Sequence, residues 1–200
     1  MFAYCGNNPV MGYDPEGTWN WGGVIAGLGI MATAACAAVF TPICASPVGI
    51  EAVGATLATG AIMAYAAAKD SAMVVDVSGS LPIGPEVYGK AGGSVIFDFG
   101  EDGGIYGYTH YGGGYGKNVG VSYSVGLVDN FREPEDYSEW FIDVNAGNIV
   151  GGDHCYSPGK NYRETTKATT ISFGSGISFG VGIDYYSQPH TIVKWRTQTK

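Results

Sequence analysis

From Val119 the chain alternates. Large apolar side chains fall on Val119, Val121, Tyr123, Val125 and Leu127, with Gly120, Ser122, Ser124 and Gly126 between them. The same period of two runs through Ile171, Phe173, Ile177, Phe179, Val181, Ile183 and Tyr185, set against Ser172, Gly174, Gly176, Ser178, Gly180, Gly182 and Asp184. A period of two sends successive side chains to opposite faces, so both stretches read as strands. Further strands are expected at 73–77, 86–99, 105–111, 139–144, 149–156 and 191–195. Turns are expected at Glu101-Asp102-Gly103-Gly104, Gly116-Lys117-Asn118 and Ser157-Pro158-Gly159. Consecutive strands with short connections predict an antiparallel meander, and closing it into a small up-and-down β-barrel removes its unpaired edges.

Two arrangements satisfy the alternation. In a soluble barrel the large residues fill the interior and Gly and Ser face out; in a membrane barrel the large residues face lipid and the small or polar ones line a lumen. A membrane strand takes about 9 to 11 residues, and only a few of the expected segments reach that length, so the soluble arrangement is the expectation. The regular glycines on one face call for close backbone approach, strong curvature or a neighbour that needs the room.

Ahead of the strands the pattern is different. Residues 22–68 carry a single charged side chain, Glu51, and Pro42, Ser46 and Pro47 divide them into two apolar runs. Each run is close to the ~20 residues with which a helix crosses a bilayer. A helical hairpin is predicted, with small residues four apart, Gly23 and Gly27, Ala34 and Ala38, Gly54 and Ala58, allowing the backbones to approach. Ala, Gly and Thr contribute less to insertion than Leu, Ile or Phe, so burial inside a soluble assembly competes with membrane contact, which is the favoured reading. Trp19 and Trp21 suit an interfacial anchor or a domain junction. The class is therefore α+β: an apolar helical hairpin over 19–70 and a Gly- and Tyr-rich antiparallel β domain over 71–200.

The first residues belong to neither part. Asn7, Asn8 and Pro9 form one turn and Asp14, Pro15 and Gly17 a second, around Phe2, Tyr4, Val10 and Tyr13, which makes one β-hairpin unit too short to hold a core. The run Tyr4-Cys5-Gly6-Asn7-Asn8-Pro9-Val10, followed by Asp14-Pro15-Glu16-Gly17, resembles the end of an RHS/YD-repeat core, the β-shell that encloses the toxin in many polymorphic bacterial toxins. The resemblance covers residues 1–18, with Thr18 standing where the family usually has Leu. It implies a shell upstream, a variable C-terminal effector downstream, an immunity protein as partner, and export or a cell-surface and membrane-associated location as part of a larger protein. It also implies aspartyl-protease-like self-cleavage near the motif, with Asp14 at the motif's aspartate and a second aspartate upstream. Taken alone, Asp14 before Pro15 is a turn initiator.

Charge narrows the partners. The net charge is −8 over 200 residues, with scattered Lys and Arg, which argues against a nucleic-acid surface. No Lys or Arg precedes Lys69, so no secretory signal peptide is expected in this chain. Cys5, Cys36, Cys44 and Cys155 lack CxxC spacing and read as buried thiols, while a Cys36–Cys44 bridge would need a bend at Pro42. No cofactor or metal is implied. Gly84 to Ala91 nearly matches a phosphate-binding loop, but Ala91 replaces the Ser or Thr that would hold magnesium, and a strand is expected where a helix should begin.

Asp153-His154-Cys155 is the one cluster of reactive types, with His110 and His190 as distant candidates to join it. Neighbours in a strand point to opposite faces, so His154 is poorly placed to activate Cys155. The acidic run 132–139 reads as a solvated loop. Three functions fit: an effector whose hairpin contacts membrane and whose barrel acts by binding rather than turnover, a structural or adhesin-like module, or an enzyme using His154 or Cys155.

Overall fold

A computed structural model describes residues 21–40, 47–100, 103–158 and 165–194. The RHS-like stretch, including Asn7, Asn8, Pro9, Asp14, Pro15 and Gly17, lies outside the described residues, as do Trp19, Cys5 and Cys44. The chain begins with α1 (Trp21–Phe40) and α2 (Pro47–Ala68), the expected hairpin. Among the described residues seven strands follow: β1 (Ala72–Pro82), β2 (Val87–Asp98), β3 (Gly104–Asp129), β4 (Glu139–Gly147), β5 (Val150–Tyr156), β6 (Lys167–Tyr186) and β7 (His190–Lys194), with a 3-10 turn at Pro134–Tyr137.

Glycine sets how closely the helices pack. A Cβ added at Gly27 would fall 2.5 Å from the Gly60 carbonyl oxygen, and one added at Gly60 would fall 2.6 Å from that of Gly27. Gly23 packs against Ala67 and Phe99. Gly54 does not serve the helix–helix contact: its open side faces the Phe173 ring of the sheet. Gly27→Val is therefore expected to force the helices apart and cost about 1–3 kcal/mol, the range for overpacking, read as a lower unfolding midpoint. The hairpin ends at Asp70, which takes a left-handed φ of 48°, while the Ser71 amide donates to the Ala66 carbonyl at 2.9 Å. That is a helix C-cap with aspartate in the position glycine usually fills.

The α+β class and the closed antiparallel barrel match the expectation. The strand order does not follow the chain: it runs β1-β2-β3-β6-β4-β5, with β7 on the start of β3 and additional pairings β1–β3 and β6–β5. Closure depends on the two long strands. The first half of β3 pairs with β2 and its second half with β1. β6 does the same for β5 and β4, and β3 and β6 pair with each other from His110↔Tyr186 to Asp129↔Lys167. This ribbon must fold over one end of the barrel. It does so where Gly116 opposes Gly180 and Gly120 opposes Gly176. Gly116, Gly120 and Gly176 have φ of 138°, 126° and 137°, a region closed to most side chains. The expected turn at Gly116-Lys117-Asn118 is thus a bend inside one continuous strand.

The barrel's faces are the reverse of the soluble expectation. Val119, Val121, Ile177, Phe179, Val181 and Ile183 point outward, with Phe179 70% exposed and Val121 60% exposed. Ser78, Ser80, Ser94, Ser124, Asp143, Asn145, Ser172 and Asp184 are buried. The helical hairpin covers only part of the outer wall, where Val24, Ala66 and Ala67 pack with Met73, Phe99 and Val125. Inside, at the end away from the bend, lies an apolar cluster that includes Val74, Ile96, Tyr106, Tyr108, Tyr137, Phe141 and Tyr186.

Candidate functional site: the polar interior of the barrel

The interior site is built from charges contributed by different strands. Lys90, on β2, reaches across the barrel to Asp184 on β6 at 2.9 Å and to Asp143 on β4 at 3.4 Å. Its inward position follows from parity, because Tyr88, Lys90, Ser94 and Ile96 alternate with the outward Val87, Gly89, Ala91 and Val95. Two carboxylates around one ammonium, all nearly dry, satisfy the rule that a buried charge must be paired. Asn145 extends the array: its amide donates to Asp143 at 3.0 Å and to the Tyr88 hydroxyl at 3.3 Å, and it accepts from Ser178 at 2.7 Å.

A second pair sits beside the first. His110 Nε2 lies 2.7 Å from Asp76 Oδ2, which also accepts from the Ser94 hydroxyl at 2.7 Å. The imidazole stacks on Tyr186, with centroids 4.8 Å apart. On β5, Asp153 accepts from Ser124 at 3.3 Å and from Thr170 at 3.5 Å.

Here the interior glycines find their reason. A Cβ at Gly182 would sit 2.7 Å from the Tyr88 hydroxyl, one at Gly114 2.8 Å from it, and one at Gly92 2.6 Å from His110 Nε2. These glycines give Tyr88 and His110 room to cross a narrow barrel.

The residues singled out in the sequence do not converge. His154 faces outward, its Nδ1 2.9 Å from the Thr169 hydroxyl. Cys155 faces inward and is buried, with its sulfur 3.7 Å from the Tyr137 hydroxyl. His110 is engaged by Asp76, and His190 begins the exposed β7. A buried thiol beside a phenol is poorly placed as a nucleophile. Cys155 is expected to resist alkylation in the folded chain and to label fully on unfolding, measured peptide by peptide in a mass spectrometer. Gly84 precedes a strand, β2, rather than a helix, which leaves the phosphate-loop pattern without its anion site. In the acidic run, the Asp136 carboxylate accepts from the Arg132 and Glu133 amides at 3.0 and 3.1 Å and so caps the 3-10 turn. Among the described residues, no group of three or more His, Cys, Asp or Glu is arranged to hold a metal ion.

Sequence reading missed Asp76, Lys90, Asp143 and Asp153 as a group. The available signal was parity: each shares its strand face with small or polar residues, Ser78 and Ser80 for Asp76, Ser94 for Lys90, Asn145 and Gly147 for Asp143 and Gly151 for Asp153, although Val74, Tyr88 and Phe141 lie on those faces too.

These features define a closed antiparallel barrel with an ionic core and an apolar wall. No family model matches the chain, and no curated protein does. Among solved structures, a β-barrel-like, uncharacterized protein from Brucella abortus is similar, with a TM-score of 0.41 and 16% identity over 72% of this chain and 86% of that one.

Proposed function

We propose that this chain is a membrane-acting effector region, with the barrel wall and the helical hairpin meeting lipid and the barrel acting by binding and insertion rather than by turnover. One observation carries the reading. On the outward positions of β1 to β6, Lys117 at the bend is the only charged side chain away from a strand's first or last residue. Water-soluble barrels have the opposite polarity, whereas an apolar outside around a polar inside is the pattern of barrels in lipid. Most strand lengths are compatible: β1 has 11 residues, β2 12 and β4 9, β3 with 26 and β6 with 20 each make two passes, and β5 with 7 is the short one. A span needs about 9 to 11. Tyr111 and Trp140 flank Tyr185 in register across three neighbouring strands, and both are exposed, as in the aromatic belts of membrane interfaces.

The hairpin agrees. α2 contains an 18-residue apolar stretch, Glu51–Ala68, with mean hydropathy 1.2, and Ile25, Leu28, Leu57 and Tyr65 are exposed on its outer side and that of α1. The RHS-like motif ahead of the hairpin supports an exported protein as the setting, with the shell upstream and an immunity protein as counterpart.

The test is partition of the full chain into vesicles of phosphatidylcholine and phosphatidylglycerol. The expected result is co-flotation that survives alkaline carbonate, with tilted β-structure in polarised infrared spectra. A chain that stays at the bottom of the gradient overturns the reading.

A further inference from the structure

The barrel's interior contains space as well as charge. One cavity of about 30 Å³ is bounded by Ser78, Asn118, Ser122, Asn145 and Asn148 and reaches the bend, where Asn148 is exposed. A second, of about 20 Å³, borders Asp76, Asp143 and Tyr137. Lys90 and Asp153 line both. Each is large enough for water, which needs about 10 to 15 Å³ of such volume. They follow one another from the bend toward the opposite mouth, with Lys90 and Asp153 between them.

Toward that mouth the second cavity ends on Tyr137 together with the strand residues Val74, Cys155 and Tyr186. The Tyr137 ring packs against Tyr186, Phe141 and Tyr108, with centroids 4.9, 5.0 and 5.4 Å away. Tyr137 belongs to no strand. It comes from the 3-10 turn between β3 and β4, and no strand pairing of the closed ring uses residues 130–138. The turn is tied to the wall by side chains: the Tyr108 hydroxyl donates to the Pro134 carbonyl at 2.7 Å, and the Asn130 amide donates to the Thr165 carbonyl at 2.9 Å. The turn is therefore held to the wall by side-chain contacts, and the strand ladder does not depend on it for its backbone hydrogen bonds.

Resting on the membrane reading above, we infer that the 130–138 segment is a plug, and that its withdrawal turns the barrel into a narrow conduit for small monovalent cations. The sign follows from the lining. Asp76, Asp143, Asp153 and Asp184 face Lys90 and, beside Asp76, His110, so carboxylates outnumber the basic groups, and acidic linings favour cations. The small bore follows from the filled interior of a barrel this narrow.

Planar-bilayer recording on the full chain, with a potassium chloride gradient, tests this. Wild type and Tyr137→Phe, which keeps the stopper's volume, are expected to be nearly silent. Tyr137→Ala is expected to raise conductance at least roughly tenfold, with the reversal potential displaced toward that of potassium, and adding Asp153→Asn should weaken that displacement. Tyr108→Phe keeps the packed ring and cuts only the tie to Pro134, so it is expected to fold even where Tyr137→Ala does not, with brief openings as its readout. Vesicle flotation of the same proteins separates the outcomes. Variants that float yet stay silent, or that pass anions, overturn the plug and leave the membrane reading intact. A wild-type chain that does not float overturns both.

Discussion

Replacing Val77 and Ile183 together by arginine is expected to abolish the vesicle partition proposed for the chain. Val77 lies midway along β1 and Ile183 midway along the last pass of β6; both point outward, and each is about half exposed. Neither belongs to the cluster beneath the helical hairpin. At the midplane of a bilayer a lipid-facing arginine costs about 2–4 kcal/mol, so the pair removes roughly three to six powers of ten in partition at 1.4 kcal/mol per tenfold. In water the same changes replace exposed apolar surface with charge and shift stability by no more than about 0.5 kcal/mol. The double variant should therefore remain in the aqueous fraction and keep its β-type circular dichroism. Flotation equal to wild type would show that the outer wall is not the surface that meets lipid.

Strand positions were legible because alternation is a local property. The direction of the faces was not. A period of two states that Val119 and Gly120 point opposite ways, and it is silent on which way is in. The deciding information sits in the charged residues. Asp184 falls among the glycines and serines of β6, and Lys90 shares its face of β2 with Tyr88 and Ser94. Charges on the small-residue face must meet one another in the interior, and that argument needs every strand at once.

Topology was hidden for a similar reason. Gly116-Lys117-Asn118 has turn composition, yet Gly116 and Gly120 supply a bend that keeps the ladder to β6 unbroken. Nothing local announces that β6 inserts between β3 and β4, since that placement is fixed by long-range pairing. The hairpin was readable from composition and proline placement, down to Gly27 at its interface. The outward turn of His154 away from Cys155 followed from adjacency alone, whereas the engagement of His110 by Asp76 joins residues 34 apart and could only come from the fold.

Lys90→Met tests the core of the site. The ammonium is the sole lysine charge among Asp143, Asp184, Asp76 and Asp153, and it holds two of these carboxylates directly. Methionine matches its length and apolar stem, so packing changes little and the missing element is charge. Removing one partner of a buried ion pair leaves the other uncompensated and costs about 3–5 kcal/mol, a large share of the 5–15 kcal/mol that holds an ordinary domain together. The expected readout is a marked fall in the urea midpoint of the chain in detergent micelles. Adding Asp143→Asn and Asp184→Asn to Lys90→Met removes the stranded charges, and each asparagine retains an oxygen to accept the bonds that remain. The triple variant should recover much of the loss, even though it is further from wild type in sequence. A Lys90→Met midpoint equal to wild type would mean that water reaches the carboxylates freely. A triple variant as weak as the single one would mean that the lysine acts through its shape, and that the ionic core is not what joins β2 to β4 and β6.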